Sequence, residues 1–188
     1  MTGTAIPQII TPSHTFLKEV EAKSKQTVSA CFQCEKCTNG CPVTFAMDIV
    51  PHKVIRMINL GLKDHVLKSD TIWICASCET CTSRCPNDID IAHVMDSLRQ
   101  LCQSSGIEAS QRNVPLLHEA FMSTIQAHGR IWELEMETRY MMKTKEVTSK
   151  DMKFGMDMFK RGKLKFMPSR WGAGSKVKQI FNQSKGRG

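Results

Sequence analysis

Aromatic residues are scarce in this chain, at 6% of 188 residues with a single Tyr. No apolar run approaches the roughly 20 residues of a membrane-spanning helix, which predicts a chain without a span. The opening stretch MTGTAIPQIITPSHTF lacks a basic leader followed by an apolar segment, so no signal peptide is expected. Strand-like alternation of apolar and polar residues is nowhere convincing, which excludes a β architecture. There is no nucleophile motif, no Gly-rich phosphate loop and no nucleotide fingerprint. The chain is therefore expected to hold no site for hydride or substrate chemistry of its own, and to be non-catalytic. What it does hold is 41% hydrophobic residues, 12 Met and nine Cys. Without an export signal, so many cysteines point to metal binding or catalysis rather than a disulfide framework, and to a cytoplasmic location.

Charge is unevenly spread. Residues 143–188 carry 13 Lys and Arg against three acids (Glu146, Asp151, Asp157), while the chain as a whole is +8. A basic end of this kind suits nucleic acid, anionic lipid or an acidic protein surface. The rest of the chain offers no matching basic surface, so an arm that wraps an acidic partner is the expectation, and nucleic acid is not expected.

One internal repeat stands out. Cys31, Cys34, Cys37, Cys41 and Pro42 recur as Cys75, Cys78, Cys81, Cys85 and Pro86, with the same C-x2-C-x2-C-x3-C-P spacing and 33 residues between Cys41 and Cys75. An iron–sulfur cube presents four iron corners, each needing one thiolate. Cysteines two residues apart on a tight loop reach three corners of one cube. The fourth is followed by proline, which sends the chain away extended, and in two-cluster ferredoxins it serves the other cube. The expected ligand sets are therefore Cys31, Cys34, Cys37 and Cys85 for one [4Fe–4S] cluster, and Cys75, Cys78, Cys81 and Cys41 for a second. A zinc ribbon uses paired C-x2-C knuckles and leaves the third and fourth cysteine of each motif unexplained. Phe32 and Ile74 place apolar side chains beside ligating positions, while Thr38, Gly40, Ala76 and Ser77 leave room for backbone N–H groups to face sulfur. Cys102, the ninth cysteine, shares an apolar helical face with Leu98 and Leu101 and reads as a buried thiol. The six His (His14, His52, His65, His93, His118 and His128) form no ligand pair and read as surface or core residues.

The intervening segments read as helical. Thr11-Pro12 is a start signal leading into Phe16, Leu17 and Val20. Pro51 opens a stripe of Val54, Ile55, Met57, Ile58 and Leu62 with Gly61 near its end. Ser69 or Asp70 is expected to cap Thr71–Ile74. Asp88 or Asp90 starts a helix with Ile91, Val94, Met95, Leu98 and Leu101 on one face, ended by Gly106. Further helices are expected from Val114 to about His128 and from Arg130 to Lys145. The glycine- and lysine-containing end, including Trp171–Ser175 and Ser184–Gly188, reads as an arm ordered only by a partner.

This pattern resembles a known family. The two motifs separated by a helical insertion are similar to the helical ferredoxin domain of succinate dehydrogenase iron–sulfur subunits and, more closely, to the C-type subunit of heterodisulfide reductase. The second likeness rests on Leu60-Gly-Leu-Lys-Asp64, on Ser69-Asp-Thr-Ile-Trp73-Ile-Cys75 and on Cys85-Pro-Asn-Asp-Ile-Asp-Ile91, and it is specific over residues 28–104. It implies an all-α domain in which the eight motif cysteines hold two [4Fe–4S] clusters. It also implies an electron relay in a heterodisulfide reductase-like complex, between an A-type flavoprotein and the B-type catalytic component. The expected layout is an N-terminal helix or arm over 1–27, the two-cluster domain over 28–110, C-terminal helices over 111–145, and a basic extension over 146–188 that contacts partner subunits. The alternative is a peripheral iron–sulfur subunit of a membrane quinone-linked dehydrogenase, for which Phe154, Met158, Phe159 and Trp171 among the lysines supply an interfacial surface.

Overall fold

The computed structural model describes residues 14–145, 149–163 and 174–185, and every regular element among them is helical, as the sequence predicts. The chain divides into two compact units, Met1–Gln111 and Arg112–Gly188. The Thr11-Pro12 start signal and Trp171 lie outside the described residues.

In the first unit the apolar stripes read from sequence become one core. Helix α1 (His14–Ser24) buries Phe16, Leu17 and Val20. After the first cysteine motif, which contains the short helix α2 (Lys36–Asn39), helix α3 (Pro51–Asn59) starts with proline at its first turn, where a missing N–H costs no hydrogen bond. Its buried face is Val54, Ile55 and Ile58, the three-and-four spacing of a helix resting on a core. Gly61 ends it at φ 76°, so that the Gly61 N–H reaches Ile58 O and the Leu62 N–H reaches Met57 O, each at 3.0 Å. Helices α4 (Lys63–Leu67) and α5 (Thr71–Ile74) lead into the second motif, which contains α6 (Thr80–Ser83). Helix α7 (Ile91–Ser104) then closes the unit by packing on α1, α4 and α5. Asp90, one of the two expected caps, accepts the His93 N–H at 2.9 Å, and Gly106 lies just past the end at φ 66°. Val94 and Leu98 have no exposed surface, and burial of such a side chain contributes about 1.5–3 kcal/mol.

The start of α5 differs from expectation. Neither Ser69 nor Asp70 caps it through its side chain. The Ser69 hydroxyl donates to Val66 O, and the Asp70 carboxylate accepts from the Gln111 amide. Asp48, far upstream, supplies the cap instead: it accepts the Asp70 N–H at 3.1 Å, the Thr71 N–H at 3.0 Å and the Thr71 hydroxyl at 2.7 Å. A cap delivered by tertiary packing leaves no local pattern to read.

In the second unit α8 (Asn113–His128) packs on α9 (Glu133–Thr144), with Lys143 paired to Glu119 at 2.5 Å. Two more helices, α10 (Ser149–Lys160) and α11 (Gly174–Lys185), stand where the sequence suggests an arm. Both are free of proline and carry three Lys each, joined by three Met in α10 and two Gln in α11, good helix formers that offset the single glycine of each.

Candidate metal centre

The two motifs share one backbone. Gln33 and Glu35 in the first, and Ser77 and Glu79 at the matching places of the second, all have positive φ, between 50° and 62°. Left-handed backbone costs a non-glycine residue about 1–2 kcal/mol, so four such residues in register mark a shape that the loops are built to keep. That shape turns N–H groups towards sulfur: Cys31 Sγ accepts from the Gln33 backbone at 3.4 Å and from its side-chain Nε2 at 3.3 Å. Glu35 and Glu79 each precede a four-residue helix that carries the third cysteine, Cys37 or Cys81, inward.

Two concavities, each with about 370 Å³ of empty space, flank Ile91. The first is lined by Cys31, Cys34 and Cys37 together with Cys85, and walled by Ile55, Ile89 and Ile91. The second is lined by Cys75, Cys78 and Cys81 together with Cys41, and walled by Val43, Met47, Ala92 and Met95 as well as Ile91. In both, three thiols come from one motif and the fourth from the other. Among the described residues no three Cys, His, Asp or Glu side chains converge on one ion-sized point. Eight thiols around two largely apolar hollows match in type and number what two cubes taking one thiolate per iron corner would need.

Burial pushes the Cys37 and Cys81 thiols up, by more than their contacts with Thr38 and Thr82 lower them. Cys37 and Cys81 are the matching third cysteines of the two motifs. The Thr80 hydroxyl and N–H beside exposed Cys78 lower that thiol. Cys102 is fully buried, directs its thiol at Leu67 O and Ile107 O at 3.4 Å, and is pushed up by burial.

The surroundings add residues for which the sequence held no signal. The Asn87 amide, past Cys85, donates to Ala30 O at the mouth of the first motif, and the Asp90 N–H reaches Gln26 Oε1 at 3.0 Å. Arg99 on α7 donates to Ile72 O, Cys75 O and the Ser77 hydroxyl, clamping the second loop. His52 lines the first hollow; its backbone N–H donates to the Thr38 hydroxyl at 3.2 Å, and its Nδ1 lies 2.8 Å from the same oxygen. Phe32, expected to help bury a cube, is instead 74% exposed on the rim of the first hollow, because its side chain leaves the left-handed loop on the solvent side.

Comparison with known proteins agrees with this geometry. Residues 30–90 match the 4Fe-4S dicluster domain family. The chain is 33% identical over 104 residues to the second C-type iron–sulfur subunit of CoB–CoM heterodisulfide reductase from Methanocaldococcus jannaschii, covering 55% of this chain and 52% of the relative. It is 36% identical over 89 residues to the C-type iron–sulfur subunit of the same reductase from Methanopyrus kandleri, covering 47% and 46%. A third relative, the C2 subunit of the H2/formate:CoB–CoM heterodisulfide,ferredoxin reductase of Methanococcus maripaludis, is 38% identical over 84 residues, 45% of each chain. The matched half of this chain is thus homologous to the C-type subunit of heterodisulfide reductase, as the motifs suggest. The chain spans about half the length of the curated relatives it matches.

Proposed function

We propose that the chain carries two [4Fe–4S] clusters, one on Cys31, Cys34, Cys37 and Cys85 and one on Cys75, Cys78, Cys81 and Cys41, and relays electrons within a heterodisulfide-reductase-like complex. The observation that carries this reading is the lining of each hollow by three thiols of one motif and one of the other. A bound cube supplies a one-electron couple. The residues of this chain supply thiolates, N–H donors at Cys31 Sγ and apolar walls that keep water off the metal. Ile91 walls both hollows, so clusters held there would lie on either side of it and supply a path for electrons between them. The donor is an A-type flavoprotein and the acceptor a B-type catalytic component, with the basic 146–188 segment contacting these partners. The chain itself has no catalytic role.

Anaerobic purification with iron and sulfide analysis tests the cluster assignment: about eight of each per chain is expected for two cubes, and stoichiometric zinc would overturn it. Affinity capture from the native host tests the partners. Recovery of a flavoprotein and a cysteine-rich protein supports the relay. Recovery of a membrane cytochrome instead supports the second reading, a peripheral subunit of a quinone-linked dehydrogenase, which is favoured by exposed Phe154, Met156 and Phe159 on lysine-bearing α10.

A further inference from the structure

Gly40 and Arg84 occupy the same place in the two motifs, immediately before the fourth cysteine. They also touch each other. A Cβ built on Gly40 would stand 2.6 Å from Arg84 Cδ, 2.9 Å from Nε and 3.0 Å from Nη1, so the arginine arm lies over the bare glycine backbone. Gly40 has ordinary negative φ, at −96°, so its missing side chain serves this close approach and not an unusual turn. The contact joins the two crossover points of the domain. Arg84 is bonded to Cys85, which lines the first hollow, and it lies on the neighbour of Cys41, which lines the second.

We infer that Arg84 is a cation shared by both centres, which raises the two reduction potentials together and leaves the difference between them almost unchanged. The inference rests on the cluster assignment proposed above. Uptake of one electron, released by a donor oxidised by one electron, adds one negative charge to a centre. A cation close by favours that reduced form and raises the potential. Each motif also carries a glutamate one residue past its second cysteine, Glu35 and Glu79, whose exposed carboxylates act in the opposite sense. The glutamates are paired, one per motif, whereas the arginine is single and sits where the motifs meet. Arg84 lines neither hollow, but its backbone adjoins Cys85 of the first and its arm crosses Gly40 beside Cys41 of the second, so its charge would act on both centres. Transfer between the centres moves an electron within reach of the same cation, so that step is nearly indifferent to it. Exchange with external donors and acceptors is not.

The test is anaerobic potentiometric titration followed by electron paramagnetic resonance, on the full chain with iron content measured in each variant. Arg84→Gln is expected to retain iron and to shift both midpoint potentials downward together, preserving their separation. Arg84→Lys keeps a cation and should restore most of the shift. Gly40→Ala, which forces the arm aside while leaving Arg84 in the chain, should shift both midpoints in the same direction as Arg84→Gln. Because Arg84 is exposed, the difference between wild type and Arg84→Gln should shrink as ionic strength rises. Unchanged midpoints in iron-replete Arg84→Gln, a shift confined to one centre, or failure of lysine to restore it would overturn the inference and leave the cluster assignment standing. A wild-type chain that binds no iron would overturn both.

Discussion

The exchange of fourth cysteines between motifs makes a prediction that iron analysis alone can decide. Each hollow is lined by four thiols, so loss of any one of them should cost one cube, or about four irons of about eight. Single variants do not say which cube is lost, but pairs do. Cys85→Ala lies in the second motif yet lines the first hollow with Cys34. Combined with Cys34→Ala it removes two ligands of the same cube, and about four irons should remain, the same as for either change alone. Combined with Cys78→Ala it strikes both cubes, and almost none should remain. The logic is that of a double-mutant cycle: sites sharing a cluster are non-additive and sites on different clusters add. Alanine is used because a serine oxygen is able to stand in for sulfur. The measurement is colorimetric iron and sulfide per chain after anaerobic reconstitution, with circular dichroism to verify that the helices persist. The reverse pattern, with Cys34→Ala/Cys85→Ala empty and Cys78→Ala/Cys85→Ala half loaded, would show that each motif keeps its own fourth cysteine.

Three further outcomes follow from the packing. Leu98→Ala empties a fully buried position on α7 and should cost about 2–5 kcal/mol in chemical denaturation, where an effect under about 0.5 kcal/mol would refute the core assignment. Asp48→Ala removes the remote cap of α5 and should destabilise by about 1 kcal/mol. Burial raises the Asp48 carboxyl, but hydrogen bonds from Thr71, Asp70 and Ile49 outweigh this and hold it below the usual aspartate range. Its contribution should therefore be present above that range and fade as pH falls through the depressed value, and a wild-type/Asp48→Ala difference that grows on acidification would contradict this. Arg99→Ala frees the second loop from α7, so chelators should strip iron faster from the centre holding Cys75 than from the one holding Cys31; equal rates would argue against the clamp.

Local rules account for much of what could be read before the structure. Pro51, Gly61, Asp90 and Gly106 punctuate the helices where their chemistry says they should, since a first-turn proline, a left-handed glycine and an aspartate cap act within a few residues. The cysteine spacing likewise pointed to two fourfold thiol sets. Most of the failures are non-local, Phe32 excepted, whose exposure follows from the local left-handed loop. Asp48 caps a helix from a distant part of the chain, and His52 on α3 lines the first hollow while held to Thr38 of the first motif. Arg99 closes the second loop from a later helix. Phe32 faces solvent although its neighbours in sequence line a site. No window of sequence holds both members of any of these pairs, and the contact between Gly40 and Arg84 shows only once the motifs are brought face to face.

The trading of one cysteine between the motifs has a further meaning for how the domain is made. If each cube gathers ligands from both ends of the intervening segment, the inorganic core acts as a double staple on a chain loop, and the loop entropy of the unfolded state is reduced once the metal is in. Neither half of the repeat then has an independent life: a fragment ending before Cys75 holds four thiols but only three of one set. Insertion of each cube and closure of the intervening loop are then coupled, and a chain that has lost one cube keeps one of its two staples.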